Sequence, residues 1–205
     1  MAYVYDAGRE DAGRAGREAL AAFGEVNALD PLTFPSVARL ENDLVAWALD
    51  LVRGAPDAVG TVTSGGSETC ILAVLAAREA WRTRGRSGRA TIIVAETAHP
   101  AFIKAVHLLD MDVHVVPVER ESMRLTSAAV ASAIREVGDS AALVVVSAPS
   151  YPHGVVDDIE SIASLSQDAG IACHVDGCIG GVVLGVARRM GMEVPAFDLS
   201  VPGVS

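Results

Sequence analysis

Apolar and polar positions alternate along this chain with two different periods. Over residues 9–24 and 36–53 apolar side chains recur every three to four positions, the spacing of helices with one buried face. Pro35-Ser36 suits the start of the second, because a serine hydroxyl can accept from exposed first-turn amides. Val59 to Thr63 is a short apolar run that predicts a strand, and a glycine pair follows it. A helical pattern then covers 67–84, with Ile71, Leu72, Val74 and Leu75 on its buried side. Thr91-Ile92-Ile93-Val94 predicts a strand, 99–109 a helix, 113–118 a strand and 126–137 a helix that Thr126 can cap. Residues 142–146 predict a fully apolar strand, 157–169 a helix and 171–175 a strand. Uninterrupted apolar strands separated by amphipathic helices predict an α/β fold, a mostly parallel sheet with helices on both faces. Ligands of such sheets bind beyond the carboxyl ends of the strands, so polar residues there are the candidates for chemistry.

Composition narrows the function classes. The chain has 205 residues, 51% apolar and 20% charged, enough for a sizeable core. Its formal net charge of −10 argues against a nucleic-acid partner, which needs a basic surface to neutralise phosphates. No apolar run is long enough to form a transmembrane segment, and Met1 to Asp6 holds no basic stretch leading into an apolar one, so a cytoplasmic protein is expected. The cysteines Cys70, Cys173 and Cys178 form no disulfide framework. Their spacing around His174 and Asp176 fits no zinc pattern, and no metal is expected.

Four polar segments fall just after predicted strands. Thr63-Ser64-Gly65-Gly66-Ser67-Glu68-Thr69 joins a strand to a helix, where bare glycine backbone and free helix-start amides can hold a phosphate. A plain strand-to-helix turn reads equally well from those residues alone. The segment is neither a P-loop nor a dinucleotide fingerprint, since no Gly-Lys-Ser/Thr follows and G-x-G-x-x-G is absent. His99, in His99-Pro100-Ala101-Phe102, either stacks on a planar ring or caps the helix it precedes. Ser147 to Gly154 carries two prolines and a glycine, with Tyr151 and His153 facing a substrate or only shaping the loop. In His174-Val175-Asp176-Gly177-Cys178 strand alternation puts His174 and Asp176 on one face. A carboxylate at a buried strand end needs a partner; it either pairs with a pyridinium N–H or caps the following turn. Together, a phosphate cradle, a stacking imidazole and a carboxylate on successive strand ends suit pyridoxal 5'-phosphate.

At these same residues the chain resembles the sphingosine-1-phosphate lyase and group II decarboxylase family of pyridoxal-phosphate enzymes, with the aspartate-aminotransferase-like fold (fold type I). The resemblance is carried by Asn27 with Phe34-Pro35-Ser36, by Gly60 to Glu68, by Ala98 to Ala105, by Pro152 to Asp157, by His174 to Gly181 and by Phe197 to Ser205. It implies that Gly65, Gly66 and Ser67 hold the cofactor phosphate, that His99 stacks on the pyridine ring and that Asp176 pairs with the ring nitrogen. Asn27, Tyr151 and His153 are the implied substrate contacts. Gly177 stands where relatives usually carry Ala, and Asp30 near where lyases of the family carry His beside a substrate phosphate, which a carboxylate would repel. The implied organisation is an N-terminal helical segment over 1–55 and a partial cofactor-binding large domain over 56–205, with the final strands and the small domain absent. The resemblance puts the lysine that binds the cofactor covalently beyond Ser205; the only lysine present, Lys104, matches a different position. The implied function of the full-length form is that of a carbon–carbon lyase, either an aldehyde lyase or an amino-acid decarboxylase, acting as a homodimer on a small amine or amino acid. The alternative is a truncated, catalytically inactive chain with at most a binding or assembly role.

Overall fold

The computed structural model describes residues 8–27, 29–30 and 32–205. The chain divides into two compact units, one ending at Leu44 and the other running Val45–Ser205. In the first, α1 (Glu10–Ala22) has no buried residue, and α2 (Pro35–Leu51) begins there and runs on into the second unit.

The second unit is built on four strands, β1 (Thr91–Ala95), β2 (Asp112–Val116), β3 (Ala141–Ser147) and β4 (Ala172–Asp176). They lie in the order β2-β1-β3-β4 and every pairing is parallel. The helices are α3 (Gly66–Thr83), α4 (Pro100–Leu108), α5 (Ser127–Val137), α6 (Ile159–Asp168) and α7 (Gly180–Arg189). Strand alternation divides the core by face. Ile92, Val94, Leu143 and Val145 pack with Val74 and Trp81 of α3 and Phe102 of α4. Ile93, Val144 and Val146 pack with Val130 of α5, Ile159 and Ile162 of α6 and Phe197. Both sheet faces are therefore covered, which is why β1 and β3 are apolar at nearly every position. Thr126 caps α5 as expected, its hydroxyl accepting from Ala129 N.

Two expectations are corrected. Val59 to Thr63 forms no strand; Val59 is 91% exposed, so an apolar run that reads as core lies at the surface. The sequence reading also ends at β4, whereas α7 follows it. Three glycines lower its intrinsic helix propensity and hide it. Two of them are there for contact: a Cβ on Gly180 would collide with the carbonyl oxygen of Ala148, and one on Gly185 would lie 3.0 Å from Leu51 O.

Candidate functional site

The ends of two strands, β1 and β4, and the start of α3 converge on one cavity of about 550 Å³. Its lining is Gly66, Ser67, Thr69 and Cys70 from α3, His99 before α4, and His174 to Cys178 from β4 and the turn beyond it. β1 has β2 and β3 as its neighbours, so the sheet reverses its order at β1, and ligand crevices open at such switch points.

The first wall is the start of α3. Glu68 N and Thr69 N already donate to Gly65 O, at 3.0 and 3.2 Å. Ser64 N and Oγ both donate to Glu68 Oε2, at 2.7 and 2.6 Å, and the Thr63 and Thr69 hydroxyls share a hydrogen bond of 2.8 Å. Among the described residues nothing accepts from the N–H of Gly66 or Ser67, the orphan amides of a helix start. A Cβ on Gly66 would meet nothing within 4 Å, so the backbone there is open to a ligand. Gly65 caps this turn and does not line the cavity.

The second wall is His99. It caps α4, its Nδ1 accepting from Ala101 N at 3.2 Å, so that nitrogen keeps its lone pair and the ring is fixed. Tyr151 meets the imidazole edge-on, 6.4 Å between centroids. The capping reading of this residue holds, and the same side chain is also part of the cavity lining.

The third wall is the end of β4. Asp176 pairs in register with Ser147, and its carbonyl accepts from Ala148 N at 2.9 Å. Its Oδ1 accepts from Cys178 N at 3.1 Å, the turn-capping role; among the described residues no hydrogen bond reaches Oδ2. His174 lies on the same strand face, edge-on to Phe102 at 5.7 Å. Burial holds the His174 imidazole below its ordinary pKa, with the Asp176 charge opposing the shift. Burial also pushes the Cys70 thiol up to about 11, reinforced by Asp176 and Cys178, so Cys70 stays a neutral thiol. A Cβ at Gly177 would meet only Gly181, at 3.5 Å, which leaves room for a methyl group.

Of the residues expected to hold a cofactor, Gly66, Ser67, His99 and Asp176 share the cavity. His153 is exposed and does not line it. Asn27 belongs to the other unit, where its Oδ1 accepts from Leu29 N; Asp30 there accepts from Leu32 N, Thr33 N and the Thr33 hydroxyl, which hold its carboxyl below the ordinary range. Thr69 and Cys70 also line the cavity. They follow Gly66 by three and four positions, and that helical spacing was the available signal for them. Free amides, an open glycine face, a fixed imidazole and an unpaired carboxylate oxygen fit a phosphorylated, cationic aromatic ring.

Comparison with known proteins agrees. Residues 14–193 match the pyridoxal-dependent decarboxylase conserved domain. Sphingosine-1-phosphate lyase of Dictyostelium discoideum is 36% identical over 188 residues, 92% of this chain and 35% of the relative. A probable L-tyrosine/L-aspartate decarboxylase of Methanospirillum hungatei is 34% identical, covering 89% of this chain and 46% of its own length. The structure of Burkholderia pseudomallei sphingosine-1-phosphate lyase superposes with a TM-score of 0.89 at 34% identity, over 97% of this chain and 46% of that one. Lactobacillus brevis glutamate decarboxylase superposes with a TM-score of 0.80 at 25% identity, over 91% and 44%. The chain thus spans less than half the length of each of these relatives. With its family match covering nearly every described element, the chain belongs to the pyridoxal-dependent decarboxylase family.

Proposed function

We propose that this chain carries the cofactor cavity of a pyridoxal-phosphate-dependent carbon–carbon lyase, either a sphingosine-1-phosphate lyase-like aldehyde lyase or an amino-acid decarboxylase. The observation that carries the reading is the convergence of Gly66 and Ser67, His99 and Asp176 on one cavity. When bound, pyridoxal phosphate supplies an electron sink for the pair released as a bond to the substrate's amine-bearing carbon breaks. In this reading the amides of Gly66 and Ser67 and the Ser67 hydroxyl bind the phosphate at the positive end of α3. Gly65 sets the turn that presents them. His99, its ring fixed by the Ala101 N–H, covers one face of the pyridine. Asp176 offers Oδ2 to the ring N–H and keeps that nitrogen protonated.

Lys104 is exposed on α4 and does not line the cavity, so it supplies no covalent link to the cofactor. The relatives are named as lyases and decarboxylases, which favours catalysis by the full-length form over a purely binding or assembly role. The substrate is proposed to be a small amine or amino acid, with Tyr151 the best supported contact through its place beside His99, and His153 on the same loop as a further contact. A homodimer of the full-length form is proposed on the stripe Val182, Val183 and Val186 of α7 with Met190 at its C-cap, which is 41–75% exposed and apolar. Among the described residues no helix is long and apolar enough to cross a membrane. The three free cysteines support a reducing, cytoplasmic location.

Titration of the chain with pyridoxal phosphate, read by absorbance, tests the assignment through Asp176→Asn. That change keeps the size and the cap on Cys178 but removes the charge facing the ring nitrogen. Truncating one partner of a close charge pair costs about 2–5 kcal/mol, so affinity should fall at least roughly thirty-fold. Equal affinity in the variant would end the pairing role of Asp176.

A further inference from the structure

The phosphate turn contains a carboxylate, which a site for an anion has electrostatic reason to avoid. Glu68 sits on the third residue of α3 and is exposed. One oxygen, Oε2, accepts both the N–H of Ser64 at 2.7 Å and its hydroxyl at 2.6 Å. A capping box reaches back from this position to the cap residue; here the cap is Gly65 and the carboxylate reaches one residue further. Ser67, Thr69 and Cys70 line the cavity, whereas Ser64 and Glu68 do not. The two donors of Ser64 are thus turned onto Glu68, and the amides of Gly66 and Ser67 are the ones left open.

We infer that Glu68 is a positioning residue for the phosphate cradle. It braces the turn from behind through Ser64, holding the Gly66 and Ser67 amides towards the cavity at the cost of a negative charge nearby. The inference rests on the cofactor reading above and deepens it by separating the residue that shapes the cradle from those that touch the anion.

Charge and bracing predict opposite signs, which makes the test decisive. If Glu68 acted only as a nearby charge, removing it would tighten binding of inorganic phosphate and of pyridoxal phosphate. If it braces the turn, Glu68→Ala loses two hydrogen bonds and should weaken both ligands by about tenfold. Glu68→Gln keeps an oxygen able to accept both donors and should bind within about threefold of the unsubstituted chain. Hydrogen exchange at the Ser64 amide reads the brace without ligand: slow in the unsubstituted chain and in Glu68→Gln, fast in Glu68→Ala. Should Glu68→Ala fail to fold, Ser64→Ala carries the test; it removes only the hydroxyl donor and should weaken phosphate binding by about threefold. Unchanged or tighter binding in the alanine variants, or a glutamine variant as weak as alanine, overturns the brace while leaving the cofactor site standing. An unsubstituted chain that binds neither ligand overturns the cofactor reading and this inference with it.

Discussion

Asp198 is fully buried at its side chain yet ionised, because two arginines meet it. Arg53 donates through Nε and Nη2, both at 2.9 Å, Arg188 through Nη1 at 2.6 Å, and Ser200 adds its N–H and hydroxyl. Burial alone would push the carboxyl pKa up; Arg53, Ser200 and Arg188 outweigh it and hold it below the ordinary range. A lowered carboxyl stabilises the fold fully above its unfolded pKa, and that stabilisation is lost as pH falls through the folded value. Asp198→Asn should therefore destabilise the chain by about 1.5–3 kcal/mol at neutral pH, the range for hydrogen bonds to charged groups. Arg53, 45% exposed, can turn to water, whereas Arg188, 24% exposed, is left with its hydrogen bond to Leu51 O, so the loss should fall at the upper end of that range. Urea unfolding at neutral pH and again below the carboxylate range checks this: the gap between the two proteins should close in acid. At the same scale, the sequence exposed the polar residues of the cavity but left each with two roles. His99 and Asp176 turn out to satisfy a local backbone amide and to face the cavity, so neither reading alone described them.

Elements were legible where burial and period agree. β1 and β3 are apolar runs covered on both faces, and β2 and β4, partly exposed at the edges of the sheet, still show in the β-α-β alternation. Val59 to Thr63 is also rich in β-branched residues but has no place in the sheet, and such residues favour a strand only where neighbours cover them. Helix α7 fails in the other direction. Gly180 answers a contact with the loop after β3 and Gly185 one with Leu51, both distant in sequence, and local propensity is blind to that. Gly180→Ala supplies the test at this scale. The added methyl would strike Ala148 O, which lies between β3 and Tyr151, so relief requires α7 or the loop to shift. Overpacking of this kind costs about 1–3 kcal/mol, and the variant should melt lower by thermal denaturation. Its effect should extend to cofactor affinity, because Ala148 N holds the Asp176 carbonyl. A variant with unchanged melting and unchanged affinity would show that α7 does not press on this loop.

At the scale of the whole chain, the cavity joins parts that are distant in sequence. The start of α3, the cap of α4 and the turn after β4 reach it from three separate stretches of the chain. A ligand gripping all three binds the folded chain and not the unfolded one, so it stabilises by mass action: about 2.7 kcal/mol at a concentration one hundred times its dissociation constant. For a chain of 205 residues this corresponds to a rise in melting temperature of roughly 5–10 °C. Pyridoxal phosphate should produce that rise. Pyridoxal without the phosphate should produce less, because it leaves the Gly66 and Ser67 amides without an acceptor, and inorganic phosphate less again, because it engages neither His99 nor Asp176. Lys104→Arg should leave the pyridoxal phosphate shift unchanged, because that lysine is exposed on the outer side of α4 and plays no part in the lining. The ordering of the three ligands is the informative result. Equal shifts from phosphate and pyridoxal phosphate would mean that only the helix start binds, and a shift abolished by Lys104→Arg would move the attachment of the cofactor out of this cavity.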